Sequence, residues 1–204
     1  MYTRTMFVEP LLDLPARLPS EPGPWRERDY FARPDDPRLE LLTGRFFLNP
    51  APRILHQLAV LALLRRLEPL RRSRHGLLLA APVDVVLDER TVVQPDLCWV
   101  ERSNPAWSLD VLRGAPDLVV EVLSPGSERR DRTIKRDLYL AAGVAEIWIV
   151  DLDARLVEIH RPVAGGGSQA IVTSVATGTL RSMRYSEIAV DLDGLWEELA
   201  EAGR

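Results

Sequence analysis

Residues 116–151, PDLVVEVLSPGSERRDRTIKRDLYLAAGVAEIWIVD, decide the fold of this 204-residue chain. The apolar, β-branched run 116–124 predicts a strand that is covered on both faces. Residues 127–142 predict a helix, because their apolar positions share one stripe and Gly143 follows as a C-cap. Residues 146–151 predict a second core strand. This order of elements indicates one α/β (α+β) domain with a mixed sheet flanked by helices.

Two charged residues of this stretch are the first candidates for a functional site. Glu121 lies in the middle of the apolar strand, where an unpaired carboxylate is destabilising. Lys135, on the following helix, is the only lysine among 26 lysine and arginine residues. Two structural alternatives stay open: Glu121 could accept backbone hydrogen bonds, and Lys135 could pair with Asp131 four residues earlier.

Composition places the chain among soluble globular proteins. Its 46% apolar and 27% charged residues are ordinary for that class. The net charge of −4 argues against coating nucleic acid non-specifically, although a local basic groove is compatible with it. The single cysteine, Cys98, excludes an internal disulfide and is expected in the core. No apolar run reaches the ~18 residues of a membrane span, and the N-terminus lacks a signal-peptide pattern, so a cytoplasmic location is expected.

The rest of the chain supplies an arm and further elements of the same domain. Residues 1–24 contain five prolines and predict an irregular arm, which leaves 25–204 as the domain. Further along, the patterns predict a short helix within 25–36, a hairpin at 39–50 with its turn at Thr43-Gly44, a long helix at 53–72, a hairpin of 76–89 with 91–101, strands at 156–162 and 169–176, and a final helix from about Leu195.

Arginines cluster at two places, 65–74 and 129–136. The first cluster is at the end of the long helix, where cations suit the helix dipole. A solvated helix end is the simpler interpretation of that cluster. The alternative is that both groups contact phosphates.

The spacing of the acidic residues selects the partner of Glu121. Asp117 lies on the same side of the strand, but four residues separate it from Glu121, or roughly 13 Å. That distance is too long for two ligands of one Mg²⁺. Asp96 opens its own strand and comes beside Glu121 if the two strands pair. Two such carboxylates repel each other unless a cation or proton bridges them, and a nearby ammonium could then orient an attacking water.

These residues resemble a known family. The shared pattern comprises Glu40 with Gly44 four residues later, His56 on the first long helix, VVQPDLCWV at 92–100, PDLVVEVLSP at 116–125, Lys135 with Tyr139 four residues later, and GVAEIWIVD at 143–151. It is similar to the Uma-two family of restriction endonucleases, in the PD-(D/E)XK nuclease superfamily. The resemblance covers roughly residues 25–200 and implies a restriction-endonuclease-like mixed sheet flanked by helices.

The resemblance also implies site residues. Pro95-Asp96 matches the PD element and Glu121 the acidic member of (D/E)XK, so that both would hold Mg²⁺ (or Mn²⁺). Glu40 resembles an additional acid that completes the metal shell. The lysine position of the motif falls at Leu123, a departure from the superfamily, and Lys135 resembles a lysine relocated to the next helix. The implied catalytic residues are Asp96, Glu121 and Lys135, and the implied partner is DNA, with a homodimer suited to two strands.

Each position has a structural alternative. Asp96 could be a turn residue at the strand entry, Glu40 could lie on the hairpin surface, and His56 is more typical of a hydrogen-bonded core histidine than of a catalyst. The motifs give only weak support for a supporting role of Tyr139 and Ser124. A Ser124 nucleophile is disfavoured because no G-x-S-x-G turn surrounds it. The sequence thus predicts a magnesium-dependent endonuclease acting on DNA, with an inactive or weak nuclease-fold binding or assembly protein as the alternative.

Overall fold

The computed structural model describes residues 22–33, 39–49, 51–124, 128, 130–164 and 169–202. The strands are β1 (Leu39–Leu42), β2 (Arg45–Leu48), β3 (Gly76–Ala80), β4 (Val85–Asp88), β5 (Thr91–Val93), β6 (Leu97–Glu101), β7 (Leu112–Arg113), β8 (Leu118–Val122), β9 (Glu146–Asp151), β10 (Leu156–Pro162), β11 (Ala170–Val175), β12 (Thr179–Arg181) and β13 (Ala189–Asp191). The helices are α1 (Glu27–Phe31), α2 (Ile54–Ser73), a π-helical turn (Arg130–Lys135) that runs into α3 (Arg136–Ala142), and α4 (Leu192–Glu201). None of these helices has both the length and the apolar character needed to cross a membrane.

A six-stranded mixed sheet forms the centre, in the order β11-β10-β9-β8-β6-β3, and β8 and β9 are its parallel pair. Alternate residues of β8 face different cores. Val120 packs in the core that contains α2 and α4, whereas Val119 packs with α3 on the opposite face. Because side chains alternate along a strand, Glu121 shares the face of Val119. The strand therefore directs Glu121 towards the helix that carries Lys135.

A five-stranded sheet, β2-β1-β5-β4-β7, closes the other side of the α3 core. β1 and β2 form the predicted hairpin, with φ of 45° at Thr43 and 79° at Gly44 in its turn. Gly23 donates a backbone hydrogen bond of 2.7 Å to the Thr43 carbonyl, which ties the preceding segment to this turn. Leu42 of β1 packs in the α3 core, and Glu40, two residues earlier, points to the same side.

The predicted hairpin of 76–89 with 91–101 is divided between the two sheets. Its inner half, β4 with β5, belongs to the five-stranded sheet, and its outer half, β3 with β6, belongs to the six-stranded sheet. A proline interrupts each run, Pro82 in the first and Pro95 in the second. Proline cannot donate to a strand ladder, so both runs break where the ribbon passes between sheets. Asp96 lies directly after this break.

The prediction of one mixed α/β (α+β) domain flanked by helices is confirmed, and Cys98 is buried in its core as expected. Gly143 ends α3 in the left-handed region, with φ of 97°, as its C-cap role predicts. The helix predicted at 127–142 has a π-helical first part, and its residue 127 lies outside the described residues. So does most of the predicted arm, since description begins at residue 22; a domain boundary near residue 24 stays a prediction.

Candidate active site

Glu121 is 3% exposed and accepts two hydrogen bonds on a single oxygen. The Tyr139 hydroxyl donates to Oε1 at 2.6 Å, and the Lys135 Nζ lies 2.7 Å from the same atom. Burial raises the pKa of Glu121 well above its ordinary range; Lys135 opposes this rise, and the nearby carboxylates of Asp131 and Asp96 add to it. The predicted Glu121–Lys135 pair is therefore a direct contact inside the protein.

Lys135 connects three carboxylates. Besides Glu121, its Nζ lies 2.9 Å from Glu40 Oε1 and 3.7 Å from Asp131 Oδ1. The pairing with Asp131 that local spacing allows is thus present, but it is the longest of the three contacts. Burial lowers the pKa of Lys135. The charges of Glu121 and Glu40 outweigh that effect, so that the pKa lies above its ordinary value. Lys135 is therefore a buried cation held among three carboxylates.

Glu40 lies behind Lys135 and is completely buried, which rules out a place on the hairpin surface. Its Oε1 accepts from the Gln94 backbone N–H at 2.8 Å as well as from Lys135. Burial raises its pKa, but Lys135 and Arg130 outweigh that effect and keep the pKa below its ordinary value. Glu40 is absent from the side chains that line the adjoining cleft. It is placed to hold Lys135 as an ammonium.

Asp96 lies beside Glu121, as strand pairing predicts. Leu97 pairs with Val120 across β6 and β8, and one further step along this antiparallel register puts Asp96 opposite Glu121. Its Oδ2 accepts from the Val122 backbone N–H at 2.7 Å and lies 3.2 Å from Nε2 of His56. Its side chain is 17% exposed, which leaves it closer to solvent than the other three acids.

His56 is hydrogen-bonded and almost buried, as expected from its place on an apolar helix face. Burial lowers its pKa, and the hydrogen bond and charge of Asp96 more than reverse that effect. The histidine therefore fixes one oxygen of Asp96. Ser124 lies at the edge of the same cleft.

A cleft of about 310 Å³ opens beside these groups. Its charged lining consists of Asp96, Glu121, Arg130, Asp131 and Lys135, with His56 at one side. With Glu40 behind them, the four carboxylates and two permanent cations carry a formal charge of −2 when ionised. Such an excess of carboxylate charge in a partly buried site favours a divalent cation.

Within the residues described, no group of three or more acidic, histidine or cysteine side chains is arranged to hold a metal ion. Oε1 of Glu121 already accepts a hydrogen bond from the Tyr139 hydroxyl and lies 2.7 Å from the Lys135 ammonium, and Oδ2 of Asp96 accepts a hydrogen bond from the Val122 N–H. The donor chemistry nevertheless fits Mg²⁺, because Asp96 and Glu121 offer hard carboxylate oxygens at the wall of a cleft with negative charge to neutralise.

Most arginines of the two predicted phosphate clusters have carboxylate partners. Arg65 and Arg66 pair with Glu198, and Arg74 pairs with Glu101 and Glu187. Similar pairs join Arg71 and Arg72 to Glu68, Arg132 to Glu128, Asp151 and Glu158, and Arg136 to Asp137. These ion pairs favour the structural interpretation of the first cluster; Arg129 lies outside the described residues.

Sequence reasoning underestimated two groups. Tyr139 had only a weak supporting role, yet its hydroxyl bonds directly to Glu121. Its signal was the spacing of four residues from Lys135, which puts both side chains on one helix face. Gln94 was not singled out, and only the fold brings its backbone N–H to Glu40.

The model of the Uma2 family, described as "Putative restriction endonuclease", matches residues 27–191 of the chain. The chain belongs to the Uma2 family. The resemblance predicted from its motifs is thereby confirmed. The fold is similar to that of a protein from Anabaena variabilis ATCC 29413, described as a putative nuclease belonging to DUF820. That match has a TM-score of 0.73 and 18% identity, and it covers 86% of this chain and 99% of the other. No curated protein shows significant similarity to the chain.

Proposed function

We propose that this Uma2-family chain is a divalent-metal-dependent endonuclease that hydrolyses phosphodiester bonds in DNA. The observation that carries the proposal is the contact of the Lys135 ammonium with Glu121 at 2.7 Å, beside Asp96 and at the wall of an acidic cleft. The only lysine of the chain is buried against these carboxylates, which is the position that a catalytic ammonium needs. The family and the nuclease-like fold agree with this proposal.

In this proposal Asp96 and Glu121 hold the cation, Mg²⁺ or Mn²⁺. A cation held there would supply Lewis-acid chemistry, withdrawing charge from a phosphoryl oxygen and favouring deprotonation of the attacking water. The Val122 N–H and His56 keep Asp96 oriented, while Tyr139 keeps Glu121 oriented. Lys135 donates a hydrogen bond to the attacking water and offsets the negative charge that develops on the phosphate. It acts by charge, since its raised pKa keeps it protonated.

The test combines calorimetric titration of Mg²⁺ or Mn²⁺ with a plasmid-nicking assay on the same samples. Asp96→Asn removes a carboxylate charge at the cleft but keeps an oxygen for the Val122 N–H. We expect it to weaken cation binding and to lower nicking by about 100-fold or more. The matched control is Asp117→Asn, because Asp117 is also half-buried at a strand entry but binds Glu101 N and Asn104 instead.

The outcomes are distinct. Loss of both properties in Asp96→Asn but not in Asp117→Asn supports the proposal. Wild-type protein that binds no divalent cation at millimolar concentration contradicts it and supports a nuclease-fold binding or assembly protein instead. The observation in favour of that second function is that Lys135 already neutralises Glu121 without a metal.

A second prediction separates the role of Glu40 from that of a metal ligand. Because Glu40 holds Lys135 and lies behind the cleft lining, Glu40→Gln is expected to lower the nicking rate by roughly 100-fold through misplacement of the ammonium. The loss should persist at saturating Mg²⁺. If a higher Mg²⁺ concentration restores the rate, Glu40 contributes to the metal shell, as the family resemblance implies. Rates at increasing Mg²⁺ concentration decide between the two roles.

A further inference from the structure

Arg130 is the second permanent cation of the cleft, and it is 2% exposed. We propose that Arg130 is the phosphate-binding residue of this cleft, holding the non-bridging oxygens of the DNA phosphodiester. The proposal rests on the proposed endonuclease function and adds to it the group that positions the anionic substrate. A guanidinium suits this task, because it is permanently charged and carries several N–H donors in one plane.

The donors of Arg130 are incompletely used. Its Nη2 donates to Asn49 Oδ1 at 2.6 Å. Within the part of the chain that the structure describes, its Nε and Nη1 are buried and have no hydrogen-bond partner. A buried donor without an acceptor is unfavourable, and such groups are uncommon in native proteins. Two unused donors on a residue at the cleft wall indicate an acceptor that arrives with the ligand.

The carboxylates nearest to Arg130 do not fill this role. Glu40 Oε2 lies 3.8 Å from Nη2, and Asp131 Oδ1 lies 3.8 Å from Nε. Both distances exceed that of a hydrogen bond. These charges attract the guanidinium, but neither carboxylate supplies the hydrogen-bond acceptor that its Nε and Nη1 lack.

Arg132, two residues later on the same helical segment, shows the contrasting arrangement. Its Nη1 donates to Glu158, its Nη2 donates to Asp151, and its Nε lies 3.4 Å from Glu128. Arg132 is more exposed than Arg130 and is not part of the cleft lining. The same residue type on one segment is therefore satisfied by the protein at position 132 and left with spare donors at position 130.

The charge of the cleft indicates that a phosphate binds there together with a divalent cation. Three carboxylates and two cations line the cleft, and the buried carboxylate of Glu40 lies behind them, so that the unliganded site has an excess of negative charge when all are ionised and opposes a phosphate. A divalent cation at Asp96 and Glu121 neutralises this excess and leaves Arg130 free to attract an anion. We therefore expect the contribution of Arg130 to DNA binding to appear only when a divalent cation is present.

The experiment measures binding of a fluorescent DNA duplex by anisotropy, in Ca²⁺ and in EDTA, over a series of salt concentrations. We compare the wild type with Arg130→Gln, Arg130→Lys and the control Arg132→Gln. In Ca²⁺, Arg130→Gln should weaken binding by about 10- to 100-fold. The slope of log K against log salt should also become shallower by about 0.9, as expected for one lost phosphate contact. Arg130→Lys should keep the slope but bind more weakly than the wild type, and Arg132→Gln should change neither quantity.

A purely structural role for Arg130 would leave the salt slope unchanged, and that result would overturn the inference. If Arg130→Gln does not fold by circular dichroism, Arg130→Lys decides the matter, since it keeps one positive charge but not the Nε and Nη1 donors, and wild-type affinity in that variant contradicts a contact through those donors. Plasmid nicking separates this inference from the proposed function. If the wild type nicks DNA and Arg130→Gln binds and nicks DNA equally well, the phosphate site is contradicted but the nuclease is not. If DNA binding depends on Arg130 but the wild type does not nick DNA, the nuclease is contradicted but the phosphate site is not. Absence of wild-type DNA binding overturns both.

Discussion

Replacing Glu121 with glutamine is expected to abolish divalent-cation binding and DNA nicking, while the unliganded protein stays as stable as the wild type or becomes more stable. Burial already disfavours the ionised form of Glu121, as its raised pKa indicates. A glutamine removes that buried charge and keeps an oxygen for the Tyr139 hydroxyl and Lys135. Lys135 also retains Glu40 at 2.9 Å. The free energy of unfolding should therefore stay within about 1 kcal/mol of the wild-type value or exceed it.

Urea unfolding with and without Mg²⁺ measures both effects in one experiment. At a Mg²⁺ concentration 100 times its Kd, the wild type should gain about 2.7 kcal/mol, and Glu121→Gln should gain nothing. Glu146→Gln is the matched control. Glu146 is also a buried glutamate of the central sheet, but its oxygens accept from Trp148 Nε1 and the Met183 N–H. That control should lose stability and keep the gain from Mg²⁺. An equal gain in Glu121→Gln would exclude Glu121 as a ligand.

The sequence was sufficient to predict the elements around residues 116–151, because their signals are local. An apolar run between turn residues fixes β8, and the apolar stripe ending at Gly143 fixes the helix. The division of the second hairpin between two sheets was not predicted. Its prolines at 82 and 95 were visible in the sequence, but a broken ladder shows only that pairing stops. Which sheet each half joins depends on packing between distant segments.

The candidate site divides in the same way. Strand pairing predicted that Asp96 lies beside Glu121, whereas the place of Lys135 at the site was implied by the family resemblance. The role of Glu40 depends on how β1 packs over the α3 core. The distance between Glu40 and Lys135 cannot be predicted from local sequence patterns, because the two residues are far apart in the chain. The partners of the arginines were not predictable for a similar reason, since Glu198 and Glu187, which pair with Arg66 and Arg74, lie more than 100 residues away in the chain.

Replacing Lys135 with methionine is expected to destabilise the protein, unlike Glu121→Gln. Methionine fills a similar volume but leaves Glu40 and Glu121 buried without their ammonium. Breaking a buried ion pair on one side costs roughly 3–5 kcal/mol, because the remaining charge is uncompensated. The nicking rate should fall by about 100- to 1,000-fold and should not recover at higher Mg²⁺, since the lost group acts on water and phosphate. Urea unfolding and nicking rates at saturating Mg²⁺ measure the two losses.

A double-mutant cycle shows whether that loss arises from the contact with Glu40. If Glu40 holds Lys135, the variant that combines Glu40→Gln with Lys135→Met should be more stable than the sum of the two single changes predicts, by about 0.5–3 kcal/mol. Arg136→Met provides the control for loss of a cation from the same helical segment, because Arg136 is half-buried and pairs with Asp137 outside the cleft lining. Additive effects of the Glu40 and Lys135 changes would show that the two residues act independently. Glu40 would then have no part in holding the ammonium at 2.7 Å from Glu121.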